Sequence, residues 1–393
     1  MCRRPVEGAR YLNPRSGSTY PLQPPLWRDP TDLGPLLITD LPGIRPEQVD
    51  PKNRSLWRYK SAMPLYCPRP ISLGEGCTPL LQRPYAGAHP HFKLEWFNPT
   101  SSFKDRGTSV MLSLLQQQGI QAVLEDSSGN GGASVACYAA AGGLEATIMA
   151  PESTSAAKTV QMRAHGATVE LVPGSRQATA EAAIKAHGRD NGRLFYASHN
   201  WHPFFLQGTK TLAYELWEDL GFRAPDHVII PCGAGSNILG CDIGFRELIR
   251  SGAISALPKL WCAQPLLCSP IATAILAAQN ADDGQETPSC WNSPISTMAE
   301  GTSISVPVRL DDVRDAVISS GGGAVRVSEE SIGGATLSLA RTGLYTEPSC
   351  AHAAAAYEHL LAAGLVSAGD VCVVVLTSTG VKATPLVAKL VEE

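Results

Sequence analysis

Lys104 stands in the stretch Asn98–Gly107, N-P-T-S-S-F-K-D-R-G, where the sequence predicts a helix start. Ser102 and Asp105 fit the S-x-x-D capping pattern, which makes Lys104 an early helical residue. The first turn of a helix carries partial positive charge and favours Asp or Glu over an ammonium. Arg106 adds a like charge, so both neighbours push the lysine toward its neutral, nucleophilic form. A neutral amine can form an imine with an aldehyde. A solvated lysine beside a cap is the plainer alternative.

A second candidate is the loop Gly233-Ala234-Gly235-Ser236-Asn237, which follows the apolar run HVIIP and precedes a probable helix. Small residues let backbone N–H groups converge on an anion, with the helix dipole assisting. The spacing G-x-G-x-x-x-x-G misses the dinucleotide fingerprint, and Cys241 replaces the lysine of a nucleotide P-loop. The glycines therefore permit a phosphate without demanding one. Two further strand ends carry small polar residues: Ser127-Ser128-Gly129-Asn130 after AVLED, and Thr377-Ser378-Thr379 after VCVVVL.

The elements that must position these residues alternate from residue 90 onward. Strands are expected at HFKLEW, AVLED, ATIMAP, TVELVPG, RLFYAS, HVIIP, KLWCAQP, AVRVS and VCVVVLTST. Helices are expected after Lys104, over ASVACYAAAGG, 156–165, 176–187 and 207–221, and in the Ala-rich stretch near 349–363. Near-continuous apolar strands alternating with helices indicate an α/β protein with mostly parallel sheets. Such sheets bind ligands beyond the carboxyl ends of their strands, where all three polar loops lie. Residues 1–55, rich in Pro, Arg and Gly, read as an irregular arm.

The 393 residues suffice for about two domains. A net charge of −4 with scattered lysines and arginines gives no footprint for nucleic acid or anionic membranes. No run approaches the roughly 20 apolar residues of a membrane span, and the N-terminus lacks the apolar stretch of a signal peptide. Eleven cysteines without a C-x-x-C pair read as reduced thiols of a cytoplasmic protein, and no metal site is expected.

An imine-forming lysine, a phosphate cradle and a polar strand end meet the three needs of pyridoxal 5′-phosphate: aldehyde, phosphate and ring nitrogen. Four stretches then carry a resemblance: I-S-L-G-E-G-C-T-P-L (71–80), N-P-T-S-S-F-K-D-R-G (98–107), S-S-G-N (127–130) and L-T-S-T-G-V-K (376–382). In this order they resemble the fold type II pyridoxal-phosphate enzymes, the tryptophan synthase β-like superfamily. Within it, L-W-R-Y (56–59) points to the threonine synthase branch. The resemblance implies an arm over 1–55, a large cofactor-binding domain over 56–96 and 205–393, and a small mobile substrate-binding domain over 97–204. It implies that Lys104 carries the cofactor and shuttles protons, that Asn130 meets the ring hydroxyl, and that Gly233, Ala234, Gly235, Ser236 and Asn237 hold the phosphate. Thr377 would face the pyridine nitrogen, with Ser378 or Thr379 as alternatives. Ser127, Ser128 and Gly129 would take the substrate carboxylate, with His199, Asn200 and Phe205 as further substrate contacts. A homodimer is implied on the same ground.

One departure bears on the substrate. Threonine synthases commonly carry Asn-Pro-Tyr-Arg before an L-E-G-x-K-T stretch, and the arginine helps hold a phosphorylated substrate. Here residues 202–211 read H-P-F-F-L-Q-G-T-K-T, so Phe205 takes the arginine's place, and a phenyl ring cannot pair with a phosphate dianion. The expected activity is that of a lyase or synthase acting on a small amino acid with a β- or γ-leaving group, threonine synthase-like. Alternatives are a threonine or serine dehydratase or ammonia-lyase, a β/γ-replacement enzyme of specialised metabolism, and an inactive cofactor-binding sensor. His202 is read as a substrate contact, an acid–base group or a packing residue; Lys158 and Gln161 are read as a solvated helix face.

Overall fold

The runs AVLE, HVIIP and CVVVL become strands buried along their whole length, as in a sheet covered on both faces. This is seen in a computed structural model that describes residues 8–154, 156–189, 193–281, 284 and 297–392. The side chain of Lys158 lies outside the described residues. In chain order the elements begin with β1 (Arg10–Leu12), β2 (Thr19–Pro21), β3 (Leu37–Ile38), β4 (Leu80–Gln82) and β5 (His91–Leu94). Next are α1 (Lys104–Gln117), β6 (Ala122–Glu125), α2 (Asn130–Gly142), β7 (Glu145–Pro151), α3 (Ala156–Ala164), β8 (Thr168–Val172), α4 (Arg176–Arg189) and β9 (Leu194–Tyr196). They are followed by α5 (Pro203–Thr209), α6 (Thr211–Asp219), β10 (His227–Pro231), α7 (Ser236–Arg250), β11 (Lys259–Pro265) and α8 (Pro270–Ala278). Last come α9 (Leu310–Ser319), β12 (Gly323–Val327), α10 (Glu329–Arg341), α11 (Pro348–Ala362), β13 (Cys372–Leu376) and α12 (Thr384–Glu392).

The chain forms two compact units. The first comprises Met1–Cys77 and Asn98–Thr211. Its main sheet has the order β8-β7-β6-β9, all parallel. Residues 8–55 are less irregular than expected: β2-β1-β3 form a small antiparallel sheet, and Tyr11, Trp27 and Leu36 join the unit's hydrophobic core. Residues 56–77 also pack in this unit, whereas the sequence placed them in the large domain. Hydrogen bonds explain the difference. Trp57 Nε1 donates to Ser109 Oγ at 2.9 Å, and the same hydroxyl lies 2.7 Å from the buried carboxylate of Glu75. Tyr138 donates to the other Glu75 oxygen at 2.8 Å. Glu75, the acid of the Gly-Glu-Gly motif, thus braces α1 and α2.

The second unit comprises Thr78–Phe97 and Leu212–Glu393. Its sheet has the order β12-β11-β10-β13-β5-β4, parallel except for β4. Buried Lys93 on β5 lies 2.7 Å from each of Glu215, Asp219 and the carbonyl oxygen of Thr78. The helices α8, α9, α10 and α12 stand where the sequence reading named only the intervening strands. Among the described residues no helix is long and apolar enough to cross a membrane, and the nine cysteines are free thiols.

Candidate active site

Lys104 is the first residue of α1, as expected, but a different pair secures the turn before it. Phe103 occupies the cap position and makes no side-chain capping bond. Asp105 instead accepts the backbone N–H and the hydroxyl of Thr100, both at 2.6 Å, and the Ser134 hydroxyl at 2.7 Å. The expected Ser102–Asp105 box is therefore replaced by a Thr100–Asp105 clasp.

The lysine's pKa moves in the expected direction for a different reason. Although the residue is only half-buried, the protein mass around its amine lowers the value from 10.5 to about 7. Glu125 opposes that shift and Arg176 adds to it, so the like charge comes from α4 and not from Arg106. The amine lies 4.5 Å from the Phe103 ring centroid and 5.7 Å from that of Phe205. Phe205 arrives on α5, which begins at Pro203 because His202 caps it, its Nδ1 accepting the N–H of Phe204 at 3.1 Å. A Cβ on Gly208 would lie 2.1 Å from the carbonyl oxygen of Arg106, and one on Gly107 would lie 2.4 Å from the Phe205 ring. Glycine on both helices permits the close crossing of α1 and α5 that sets Phe205 near the amine.

Two neighbouring strand ends supply the rest of this cluster. Glu125 ends β6, and His199 follows β9, the parallel partner of β6. Glu125 accepts the backbone N–H of His199 at 3.0 Å, and its second oxygen lies 2.9 Å from His199 Nδ1. Burial pushes the Glu125 carboxyl up to about 7. Burial, with Lys104 contributing, holds the His199 imidazole well below its ordinary range. Asp126 accepts from Tyr196 at 2.9 Å and Ser198 at 3.0 Å, and burial raises its pKa too. Ser127 is buried, Ser128 and Asn130 are half-buried, and Gly129 is exposed just before α2. Asn200 is half-buried one residue beyond His199. The rings of His202, Phe195 and Phe204 pack with centroids 5.7 and 5.0 Å from the imidazole, which favours the packing reading of His202.

The second unit holds the remaining candidates. The Gly233–Asn237 loop joins β10 to α7, with Ser236 and Asn237 in the helix's first turn. Gly235 adopts φ +90°, and a Cβ there would stand 2.3 Å from Val313, so only glycine fits. The Asn237 side chain is 3 % exposed, and among the described residues neither its oxygen nor its nitrogen has a hydrogen-bond partner. A buried amide left open at a helix N-terminus suits a bound polar group, and the loop fits the phosphate of the expected cofactor. Thr377, directly after β13, is buried with its hydroxyl 3.0 Å from Cys350 Sγ. Thr379 is engaged elsewhere, accepting the N–H of Val381 at 3.3 Å.

The first unit thus gathers Lys104, Phe205, His199 and the Ser127–Asn130 loop, and the second carries the glycine loop and Thr377. The sequence reading missed Glu125 and Arg176. Glu125 left a signal: an acid at the end of an otherwise apolar strand must be paired or neutralised when buried. Arg176 left none, because its influence depends on how α4 packs.

A profile described as "Pyridoxal-phosphate dependent enzyme" matches residues 71–378. The chain is 32 % identical over 347 residues to the threonine synthase of Methanocaldococcus jannaschii, covering 86 % of this chain and 83 % of that one. It is 30 % identical to the threonine synthase of Methanosarcina acetivorans, with 88 % and 85 % covered. Among solved structures, an L-serine ammonia-lyase from the fungus Rhizomucor miehei superposes with a TM-score of 0.69 at 20 % identity, covering 83 % of this chain and 99 % of that one. That likeness speaks for the fold, which is the α/β architecture expected from the sequence.

Proposed function

The chain belongs to the pyridoxal-phosphate dependent enzyme family, and on that footing we propose elimination or replacement at the β or γ carbon of an amino acid, with Lys104 as the cofactor's covalent anchor. It is a pyridoxal-phosphate-dependent lyase or synthase; the reaction's finer identity is the proposal. The bound cofactor supplies an electron-withdrawing ring that acidifies the hydrogen on the substrate's α carbon. Lys104, leaning toward the neutral amine at about pH 7, takes that proton and returns it. This amine is the observation that carries the reading.

Asn130 is proposed to meet the ring hydroxyl, Gly233, Ala234, Gly235, Ser236 and Asn237 the phosphate, and Thr377 the ring nitrogen. The open amide of Asn237 supports the second assignment. The Ser127–Gly129 loop, at a strand end feeding a helix N-terminus, suits the substrate carboxylate. Substrate binding by a mobile 97–204 segment, cytoplasmic location and a homodimer remain part of the proposal; light scattering of the purified protein tests the last.

The relatives' name favours threonine synthase chemistry, whereas Phe205 in place of the expected arginine favours a dehydratase acting on a hydroxy amino acid. Purified protein mixed with pyridoxal phosphate should gain visible absorbance that Lys104→Ala abolishes. A wild-type protein that stays colourless would sink the reading. Phosphate release from O-phosphohomoserine, set against keto-acid release from serine and threonine, decides between the two reactions.

A further inference from the structure

His199 and Glu125 form a buried pair for which the residue assignments above provide no chemical step. Glu125 holds the histidine at two points, its backbone N–H at 3.0 Å and its Nδ1 at 2.9 Å. With Nδ1 engaged, Nε2 is the ring atom left to meet a substrate. The ring abuts the loop proposed for the substrate carboxylate: a Cβ on Gly131 would lie 2.8 Å from both Cε1 and Nδ1 of His199 and 2.9 Å from Ser127 Oγ. It also tilts against Phe205 at 5.7 Å, the same ring that stands 5.7 Å from the Lys104 amine. Base, loop and acid–base pair therefore share one corner of the first unit, with an aromatic ring among them.

We propose that His199, positioned by Glu125, donates a proton from Nε2 to a departing hydroxyl, so that the substrate is an amino acid with a free hydroxyl on its β carbon. This rests on the elimination reading above. In the step, the electron pair left by the α proton becomes the double bond between the α and β carbons, the β carbon–oxygen bond breaks with its electron pair going to oxygen, and the Nε2 proton completes a water molecule. The Glu125 carboxyl proton passes to Nδ1, leaving a carboxylate against Nδ1–H. The pair loses one proton in all, and Lys104 gains the one taken from the α carbon. Burial favours the starting state, because a carboxyl held up to about 7 beside an imidazole held low keeps the proton on Glu125 and leaves Nε2–H as a donor.

The same corner is poorly made for a phosphate leaving group. Hydroxide leaves only if protonated, but phosphate leaves as a stable anion and calls for cations. The charged groups facing the pair are Lys104 from α1, Asp126 from the end of β6 and Arg176 from α4. Lys104 is held toward neutrality, Asp126 stands against Arg176, and Phe205 contributes no charge.

The test gives the cofactor-loaded enzyme L-serine, L-threonine, their O-phospho esters, O-phospho-L-homoserine and 3-chloro-L-alanine, whose chloride leaves without a proton. Keto acid, phosphate and exchange of the α hydrogen in heavy water are followed by NMR. The free hydroxy amino acids should outpace their phosphate esters. In His199→Asn, the ratio of hydroxide to chloride elimination should fall about 100-fold or more, with α exchange still detectable. His199→Gln serves if the first variant does not fold. A readout apart from turnover is the nitrogen NMR titration of the imidazole in cofactor-free protein. A proton step near 7 should report the pair and vanish in Glu125→Gln. Equal loss of hydroxide and chloride elimination, preference for the phosphate esters, or an unchanged titration in Glu125→Gln would each overturn the proposal. Failure of the underlying reading looks different: wild-type protein then shows neither cofactor absorbance nor α exchange with any of these amino acids.

Discussion

A lysine whose amine titrates at about 7 should reveal its surroundings through the pH dependence of its reactions. Only the neutral amine attacks an aldehyde, so capture of pyridoxal phosphate by cofactor-free protein should accelerate as pH rises through about 7. Arg176→Ala removes a like charge and should move that midpoint upward. Glu125→Gln removes the opposing charge that appears as that carboxyl ionises at about 7, and should move it downward. Stopped-flow absorbance measures both, and coincident midpoints in the two variants would contradict the electrostatic account. The place of Lys104 at a helix start and the direction of its shift were legible in S-S-F-K-D-R-G; the cause of the shift was not. Helix terminus and Arg106 are neighbours in sequence, whereas the burial and Arg176 that lower the pKa come through tertiary packing. Glu125 was hidden differently, inside a strand read for its apolar residues alone.

The crossing of α1 and α5 shows how much rides on two atoms that are absent. Gly208→Ala would drive a methyl into the carbonyl of Arg106, a backbone atom with nowhere to go, and Gly107→Ala would drive one into the Phe205 ring. Each should cost about 1–3 kcal/mol, Gly208→Ala the more because a ring can turn and a backbone cannot. Urea unfolding midpoints measure this, and an unchanged midpoint for Gly208→Ala would show that the helices part easily. Gly107→Ala should also slow cofactor capture by shifting Phe205 beside Lys104. The nearly continuous apolar strands β6, β10 and β13 were legible from their runs, because burial on both faces leaves little room for polar residues. The cap was misread, since Thr100 and Ser102 offer Asp105 the same chemistry and only the turn's path selects between them. Helices α8 to α10 went unnamed where the reading followed strands rather than helical periodicity.

In the second unit, buried Lys93 ties β5 to two carboxylates of α6, buried Glu215 and partly exposed Asp219. Lys93→Ala would leave Glu215 buried without its cation and should cost about 3–5 kcal/mol by urea unfolding. A Lys93→Ala protein as stable as wild type would mean that the carboxylates find other partners. Two-part organisation was legible from chain length and alternating elements, but the boundary near Cys77 was not. It depends on Trp57, Ser109 and Glu75 meeting across distant stretches of sequence. The strand order has a consequence for synthesis on the ribosome. All four strands of the first unit's parallel sheet have been made once residue 196 is reached. In the second unit, β13 lies between β10 and β5 yet is the last strand translated. The early β4–β5 pair must wait for almost the entire chain, and a polypeptide stalled before Cys372 carries a gap in the middle of its larger sheet. The nascent protein is thus exposed to mispairing until its final stretch emerges.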